Sequence, residues 1–335
     1  MHHDFSAEAQ RYFEYIGTHL TNRSGDSPDH KAAQNWIVKH LVGAGYSRTQ
    51  ITLQVIEEHP GTNIVLKIDG QDPTRLLIVG AHYDGDGVGD NGSGVALLLS
   101  TLCGLVGEPL PFTTYAVFFD EEETGCNGSV AFAASLTPEQ AASTVCMINI
   151  DAIAFGDYCN VYGGHQDPDT KQITLLQAYT QACAIACKLG FHVWGPEELD
   201  GYFAAHGEGP ALDPLGLFTS PWTPNNPAPE DTVKEEWRAY SPTTIPMSDH
   251  AAFDELGIPY LYFEATNWFS PSDDPKRAYI GYTDVGDPSI GVGGMIMNTE
   301  FDNLETMAKH FPGRSLEHFK LYSPLLAALL LDPVG

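Results

Sequence analysis

Two patterns of hydrophobic and polar residues alternate along the chain, and each predicts one kind of element. Apolar residues at helical spacing predict a helix over Ala7–Leu20 and a second one that begins at Pro28, behind a Ser27 cap, and stops at the glycines 43 and 45. Further helices are predicted at Val95–Leu105, Ser129–Leu136, Thr174–Leu189 and Leu325–Leu331.

Continuous apolar runs between these helices predict strands. Such runs are typical of strands that are buried on both faces of a sheet. The predicted strands are Ile51–Ile56, Asn63–Ile68, Leu76–Ala81, Thr114–Phe119, Val145–Ile150 and Ile258–Phe263. Because strands and helices alternate, we expect an α/β fold with helices on both faces of the sheet.

We find no internal repeat and no linker, so we expect one domain over residues 1–335. Two stretches, at about 195–246 and 268–294, are rich in proline, glycine and aromatic residues and show little periodicity. Long irregular stretches in a compact domain are usually functional. We therefore predict that both form lid-like excursions around a site.

The charge balance excludes several classes of partner. The chain has 16 basic and 44 acidic side chains, for a formal net charge of −28. This charge repels nucleic-acid phosphates and anionic lipids and attracts ligands that carry an amine. No apolar run is long enough to cross a membrane. We expect a soluble protein, either cytoplasmic or, if an export signal was trimmed, periplasmic or secreted.

Six cysteines are too few for a disulfide-rich scaffold of this length. Cys183 and Cys187 lie one helical turn apart, which is poor geometry for a bridge. We predict that both are buried apolar residues, and one or two bridges among the other cysteines stay possible.

Metal-capable side chains follow the predicted buried strands. His82 and Asp84 follow one strand, Glu122 and Glu123 follow the next, and Asp151 follows the third directly. Each motif alone is weak, since a His-x-Asp pair or an acidic run is usually a solvated surface feature. The carboxyl ends of strands in an α/β sheet converge in space, however, and imidazole with carboxylates suits zinc.

These residues, with Asp90 and His250, occur in motifs that resemble a known family. The motifs, in chain order, are 81–84 (AHYD), 89–94 (GDNGSG), 122–125 (EETG) with 128–129 (GS), 149–151 (NID), and 248–250 (SDH) followed by 257–259 (GIP). The chain is identified as similar to the zinc-dependent aminopeptidases of the bacterial secreted double-zinc family. The wider family includes glutamate carboxypeptidase II and glutaminyl cyclase. The resemblance implies a three-layer αβα sandwich with a mixed, mainly parallel sheet, the phosphorylase/hydrolase-like zinc exopeptidase fold.

The resemblance also implies two Zn²⁺ ions and a peptide substrate. Asp90 would bridge both ions, His82 and Asp151 would complete one site, and Glu123 and His250 would complete the other. The implied reaction is hydrolysis of the N-terminal residue of a peptide by water activated between the two zinc ions. The same likeness implies a cis peptide bond between Asp90 and Asn91.

Two further residues have implied catalytic roles. Glu122 would be the general base that takes the proton from the water, and Asp84 would accept a hydrogen bond from the second nitrogen of His82. The role of Asp249 stays open. The family's oxyanion-stabilising tyrosine has no aligned counterpart; Tyr240 is a candidate, but an ordinary packing role is the stronger interpretation of that residue.

Other functions stay open from sequence. Phe118-Phe119-Asp120 resembles the glutaminyl cyclase branch, whose members use a single zinc for acyl transfer. A carboxypeptidase would need a cationic clamp, for which Arg238 and Arg277 are the chief candidates. Receptor-like relatives keep the fold as a binding module but lose ligands, whereas all are present here. The glycines of 85–94 fit neither a dinucleotide nor a P-loop spacing, and Ser93 lacks the glycine at position 91 that a nucleophile elbow needs.

Overall fold

The elements follow the predicted alternation of strands and helices. A computed structural model describes residues 3–25, 27–156, 158–166, 173–194, 217–219, 248–266 and 296–333. The helices are α1 (Ser6–His19), α2 (Pro28–Ala44), α3 (Gly92–Gly104), α4 (Asn127–Ser135), α5 (Pro138–Ser143), α6 (Gln177–Lys188), α7 (Ala251–Asp254), α8 (Leu304–His310) and α9 (Arg314–Leu331). The strands are β1 (Ile51–Val55), β2 (Thr62–Ile68), β3 (Asp72–His82), β4 (Phe112–Phe119), β5 (Thr144–Ile150), β6 (Tyr158–Tyr162), β7 (Gly164–Gln166), β8 (Ile173–Leu175), β9 (Val193–Trp194), β10 (Leu217–Thr219) and β11 (Tyr260–Thr266).

Nine strands form one mixed sheet in the order β1-β2-β4-β3-β5-β11-β6-β10-β9, and β7 pairs with β8 separately. The four central strands β4, β3, β5 and β11 are parallel neighbours. Antiparallel pairs join β1 to β2, β2 to β4 and β11 to β6. The carboxyl ends of the central strands therefore meet at one edge of the sheet, which is where open α/β sheets bind ligands.

Apolar side chains cover both faces of this sheet. Along β3, Leu77 and Val79 point into a core that α1, α2, α3 and α9 share, while Ile78 points into a second core with Phe132 of α4 and Phe253 of α7. Adjacent strand residues face opposite sides, so a strand that is apolar at every position needs helices on both faces. The predicted αβα architecture with a mixed sheet is confirmed.

Several boundaries differ from the prediction. The helix predicted at 174–189 begins at Gln177, because Ile173–Leu175 pairs with β7 as a strand. Strand β3 begins at Asp72, and Leu325–Leu331 is only the last part of α9. Short elements without clear periodicity, among them α5, β6 and α8, were not predicted.

The two predicted excursions lie almost entirely outside the described residues. Within the first one, Leu217–Thr219 forms β10 and adds a parallel strand to β6, so part of this stretch belongs to the sheet. The single-domain organisation stays a prediction. No helix in the described part of the chain is both long and apolar enough to cross a membrane.

None of the six cysteines, all of which lie in the described part of the chain, forms a disulfide. Cys187 is exposed and Cys183 is half-buried, so the prediction that both are buried was wrong. Both lie on α6, whose buried residues are Tyr179, Ala182, Ile185 and Ala186. Position 187 therefore falls on the solvent side of this helix.

A buried histidine in α9 should make the fold sensitive to acid. His318 is 1% exposed, its Nδ1–H donates to the carbonyl of Ile153 at 2.9 Å, and burial lowers its pKa to about 3. The unfolded chain takes up this proton near pH 6.5 and the folded chain does not, so stability falls as pH drops from about 6.5 towards 3. The contribution is at most about 1.4 kcal/mol per pH unit.

We expect His318→Gln to flatten this dependence. Urea unfolding of both proteins at about pH 7 and about pH 5.5 would measure it, and the wild type should lose about 1 kcal/mol more than the variant. Equal losses in the two proteins would show that His318 is protonated in the folded state or does not contribute.

Candidate active site

The carboxyl ends of three neighbouring strands bring the predicted donors together. His82 is the last residue of β3, Asp151 directly follows β5, and Glu122 follows β4. Nε2 of His82 lies 3.1 Å from Oδ1 of Asp90, 3.2 Å from Oδ1 of Asp151 and 4.0 Å from Oε2 of Glu122. One imidazole nitrogen is thus surrounded by three carboxylates.

Asp84 lies on the other side of the His82 ring. Its Oδ1 is 3.4 Å from Nδ1 of His82, but Nδ1 forms no hydrogen bond within the described residues, so the contact is an ion-pair distance only. The Asp84 carboxylate accepts hydrogen bonds from the backbone N–H of Glu122 at 3.2 Å and of Glu123 at 3.3 Å. Asp84 therefore holds the loop that carries both glutamates, in addition to facing the imidazole.

Asp90 lies at the turn from β3 into α3. Its peptide bond to Asn91 is cis, as the resemblance implied. The Asn91 side chain caps α3 by accepting from Gly94 N at 2.8 Å, and its amide donates to the carbonyl of Ile150 at 2.8 Å. Because Ile150 precedes Asp151, Asn91 ties the Asp90 turn to the strand end that carries Asp151.

Polar neighbours orient Asp151. The Ser248 hydroxyl donates to Oδ2 of Asp151 at 2.8 Å, and Nδ2 of Asn149 donates to the Ser248 hydroxyl at 2.8 Å. Oδ1 of Asp151 is left facing His82. Second-shell hydrogen bonds of this kind fix the direction in which a carboxylate presents its free oxygen.

His250 precedes α7 and is 1% exposed. Its ring lies 4.7 Å from the ring of Tyr260 and 4.7 Å, nearly parallel, from that of Tyr262. Nδ1 faces the Asn149 amide at 3.4 Å. Burial lowers the pKa of His250 to about 3, so the ring is neutral and one nitrogen can serve as a metal ligand.

The adjacent Asp249 is fully buried, and its carboxylate accepts no hydrogen bond within the described residues.

Two groups of donors lie close enough to hold a metal ion. The first is His82, Asp90 and Glu123, and the second is His82, Glu122 and Asp151, with ligand atoms within 4.8 Å of one another in each. The structure thus brings together His82, Asp90, Glu122, Glu123 and Asp151, and His250 belongs to neither group. Glu122, predicted as the base and not as a ligand, lies among the metal-capable oxygens.

The first two residues of the acidic run 120–123 are buried, whereas Glu123 is exposed. Asp120 is 1% exposed and its Oδ2 accepts from Thr62 N and from the Tyr83 hydroxyl. Glu121 is 8% exposed and accepts from Gly61 N. These two carboxylates anchor the run to β2, and the next two glutamates face the site. Asp120 and Glu121 therefore anchor the run, while Glu122 and Glu123 are among the candidate metal donors.

Burial and mutual repulsion govern the charges in the site. Burial and the charge of Asp151 raise the pKa of Asp90 to about 6, and burial with the Asp90 charge raises that of Glu123 to about 8. Burial and Asp151 raise the pKa of Glu122 to about 9. Burial alone would lower the pKa of His82, but Asp151 and Glu122 raise it well above its usual value.

This donor set fits zinc. Neutral imidazole and carboxylate oxygens are ordinary zinc ligands, and divalent cations among the carboxylates would offset the repulsion that raises their pKa values. The two donor groups share His82, so ions held in them would be close neighbours.

A cavity of about 650 Å³ lies at the amino ends of β3, β5 and β11, which is the opposite end of these strands from the donors. Its lining includes Arg75, Thr144 and Pro259.

Sequence reasoning missed part of this site. Asn91, Asn149 and Ser248 lie inside the recognised motifs, so their hydrogen-bonding side chains were a usable signal. The candidates Tyr240, Arg238 and Arg277 lie outside the described residues.

A comparison with known families agrees with this geometry. Residues 63–198 match the profile of Peptidase family M28, and they contain β3, β4 and β5 with every donor described above except His250. This segment is similar to the M28 peptidases, and it covers less than half of the chain.

Two curated relatives are similar to part of the chain. Over 138 aligned residues the chain is 30% identical to leupeptin-inactivating enzyme 1 of Streptomyces exfoliatus, and the alignment covers 39% of this chain and 31% of that protein. The chain is 29% identical over 134 residues to an aminopeptidase of Pseudomonas aeruginosa, covering 36% of this chain and 25% of that protein. The chain thus spans less than a third of each of these relatives.

Solved structures resemble the chain over nearly its whole length. A glutaminyl cyclase from an Acidobacteriales bacterium has a TM-score of 0.59 at 15% identity and covers 99% of this chain and 97% of its own. A Zn-dependent exopeptidase from Parabacteroides distasonis has a TM-score of 0.56 at 15% identity and covers 99% and 100%. At this identity the likeness shows the zinc exopeptidase fold.

Proposed function

We propose that the protein is a two-zinc exopeptidase that removes the N-terminal residue of peptides. The observation that carries the proposal is the convergence of Asp90, Asp151 and Glu122 on Nε2 of His82, inside the segment that matches the M28 profile. The relative named aminopeptidase supports the same activity. Asp90 would hold both ions, His82 and Asp151 one of them, and Glu123 and His250 the other.

Bound zinc supplies Lewis-acid activation of water and of the scissile carbonyl. The protein's own groups supply the proton transfers and the orientation. Glu122 takes the proton from water and delivers it to the leaving amine. The thiol of Cys126 donates a hydrogen bond to Oε1 of Glu122 at 3.6 Å, which helps to orient the carboxylate. Asp84 keeps the backbone of both glutamates in place.

The acidic surroundings also favour a free amine at the substrate's end. A net charge of −28 attracts cationic groups, and the site itself contains several carboxylates within a few ångströms. An N-terminal ammonium would be bound in this environment, whereas a C-terminal carboxylate would be repelled. This electrostatic preference supports aminopeptidase over carboxypeptidase activity.

A substrate panel with the zinc-loaded protein tests the proposal. We expect turnover of leucyl- and other aminoacyl-anilides, and a loss on the order of 10⁴-fold when the amine is acetylated, because the site's charged groups would lose their partner. A peptide with N-terminal glutamine separates the branches. Release of free glutamine supports the peptidase, whereas ring closure with loss of ammonia identifies a glutaminyl cyclase.

A further inference from the structure

Residues from the N-terminal and C-terminal parts of the chain form hydrogen bonds to the loop from Tyr83 to Asp90, between β3 and α3. The loop carries Asp84 and Asp90, and three of its eight residues are glycines, which leave the backbone many accessible conformations. Something outside the loop must therefore set its shape. Two residues that hold its backbone by several hydrogen bonds are Arg23, after α1, and Asp302, before α8.

Asp302 binds three consecutive backbone amides of this loop. Its Oδ1 accepts from Gly89 N at 2.5 Å, its Oδ2 accepts from Asp90 N at 3.0 Å, and its carbonyl oxygen accepts from Val88 N at 3.2 Å. Asp302 is 6% exposed. Because one of these bonds is to the backbone of Asp90 itself, the Asp302 carboxylate fixes the point from which the Asp90 side chain extends.

Arg23 holds the same loop through its carbonyls. The guanidinium donates to Tyr83 O at 2.9 Å, to Gly87 O at 2.7 Å and to Leu20 O at 2.7 Å, and the Arg23 backbone N–H donates to Gly85 O at 2.9 Å. The residue is 2% exposed. A buried cation that binds the loop's carbonyls and a buried anion that binds its amides together satisfy the backbone on both sides.

The fit between Asp302 and the loop leaves no free space. A Cβ atom at Gly87 would lie 2.2 Å from Oδ2 of Asp302, and one at Gly89 would lie 3.0 Å from Oδ1. Any side chain at Gly87 would therefore displace the carboxylate. The loop and Asp302 are shaped to each other, although more than 200 residues separate them in sequence.

We propose that Asp302 is a positioning residue for the metal site, and that with Arg23 it holds Asp90 where it can bridge two ions. The inference rests on the proposed function, in which Asp90 is the shared ligand. Asp302 is not itself a ligand, because its oxygens are taken up by the loop amides. Both Arg23 and Asp302 lie outside the segment that matches the M28 profile.

The test is zinc affinity, measured by competition with a chelator on the full-length protein. Asp302→Asn keeps the size of the side chain but replaces one of its two accepting oxygens with an NH₂ group, which cannot accept from a backbone N–H. We expect zinc to bind about 10- to 100-fold more weakly at one site or both. The matched control is Asp72→Asn, which alters a carboxylate that also accepts a backbone amide, from Thr74, but at the far end of β3. Its zinc affinity should equal that of the wild type.

A second readout separates positioning from a general loss of stability. In the cobalt-substituted protein, Asp302→Asn should shift the visible absorption bands, because the coordination geometry changes. If this variant does not fold, Arg23→Lys, which keeps the charge but loses the forked donors, should weaken zinc binding in the same direction.

Asp90→Asn, measured in parallel, distinguishes the two ways in which the idea can fail. Wild-type zinc affinity and cobalt spectrum in folded Asp302→Asn, with weakened binding in Asp90→Asn, would overturn the positioning role alone. Wild-type binding of both ions by Asp90→Asn would overturn the proposed function and this inference with it.

Discussion

Glu122→Gln is expected to keep its zinc and to lower kcat by about 100- to 10,000-fold, the usual contribution of a general base. Glutamine has nearly the same size and can keep the neighbouring contacts, but it cannot accept a proton from water. The Glu122 side chain is 12% exposed and its Oε2 lies 4.0 Å from Nε2 of His82, so the carboxylate faces the donor cluster and not the solvent. Turnover of an aminoacyl-anilide and metal analysis of the same sample measure both effects.

Glu121→Gln is the matched control for this experiment. Glu121 belongs to the same acidic run and is equally buried, but its carboxylate accepts from Gly61 N and pairs with His59. We expect its kcat to stay close to that of the wild type. Near-normal turnover by Glu122→Gln would remove Glu122 as the base, and loss of zinc from that variant would make it a ligand.

Asp90→Asn is expected to reduce the zinc content to one ion or fewer and to abolish most of the activity. An amide oxygen carries no charge and cannot bridge two cations as a carboxylate does. Loss of one cation removes several kcal/mol of transition-state stabilisation, and each 1.36 kcal/mol is a factor of ten in rate, so kcat/KM should fall at least about 100-fold. Asp86→Asn changes an exposed carboxylate of the same loop, which binds Ser24, and should bind zinc normally.

The central strands could be predicted because the apolar runs that form them are visible in the local sequence. Strands β3, β4 and β5 each contain a mainly apolar run, of which Leu76–Ala81 is the clearest, and such runs are typical of strands that helices cover on both faces. Strands β6, β9 and β10 have two to five residues each and lack this signal. Their existence depends on tertiary pairing with β11 and with one another, which no local pattern encodes.

The donors were predictable for a similar reason. Polar residues directly after buried strands must meet at the sheet's edge, so His82, Glu122 and Asp151 could be grouped from sequence, and the family resemblance added Asp90 and His250. The resemblance gave Asp84 a role beside His82, and the structure adds its hydrogen bonds to the amides of Glu122 and Glu123.

The residues that hold the loop could not have been found in this way. Arg23 and Asp302 stand in unremarkable sequence, and each acts on a loop that lies 60 or more residues away along the chain. A buried arginine and a buried aspartate are recognisable only when their partners are known. Contacts between distant segments of this kind are the part of a site that needs coordinates.

The number of zinc ions per chain tests the central claim most directly. Metal-free protein should be titrated with zinc and the bound metal counted by atomic spectroscopy after dialysis, with Asp90→Asn as the reference. We expect two tightly bound ions in the wild type, with activity that rises as they bind, and at most one in the variant. A wild-type chain that remains metal-free, or one that holds a single ion regardless of position 90, would contradict the two-zinc account.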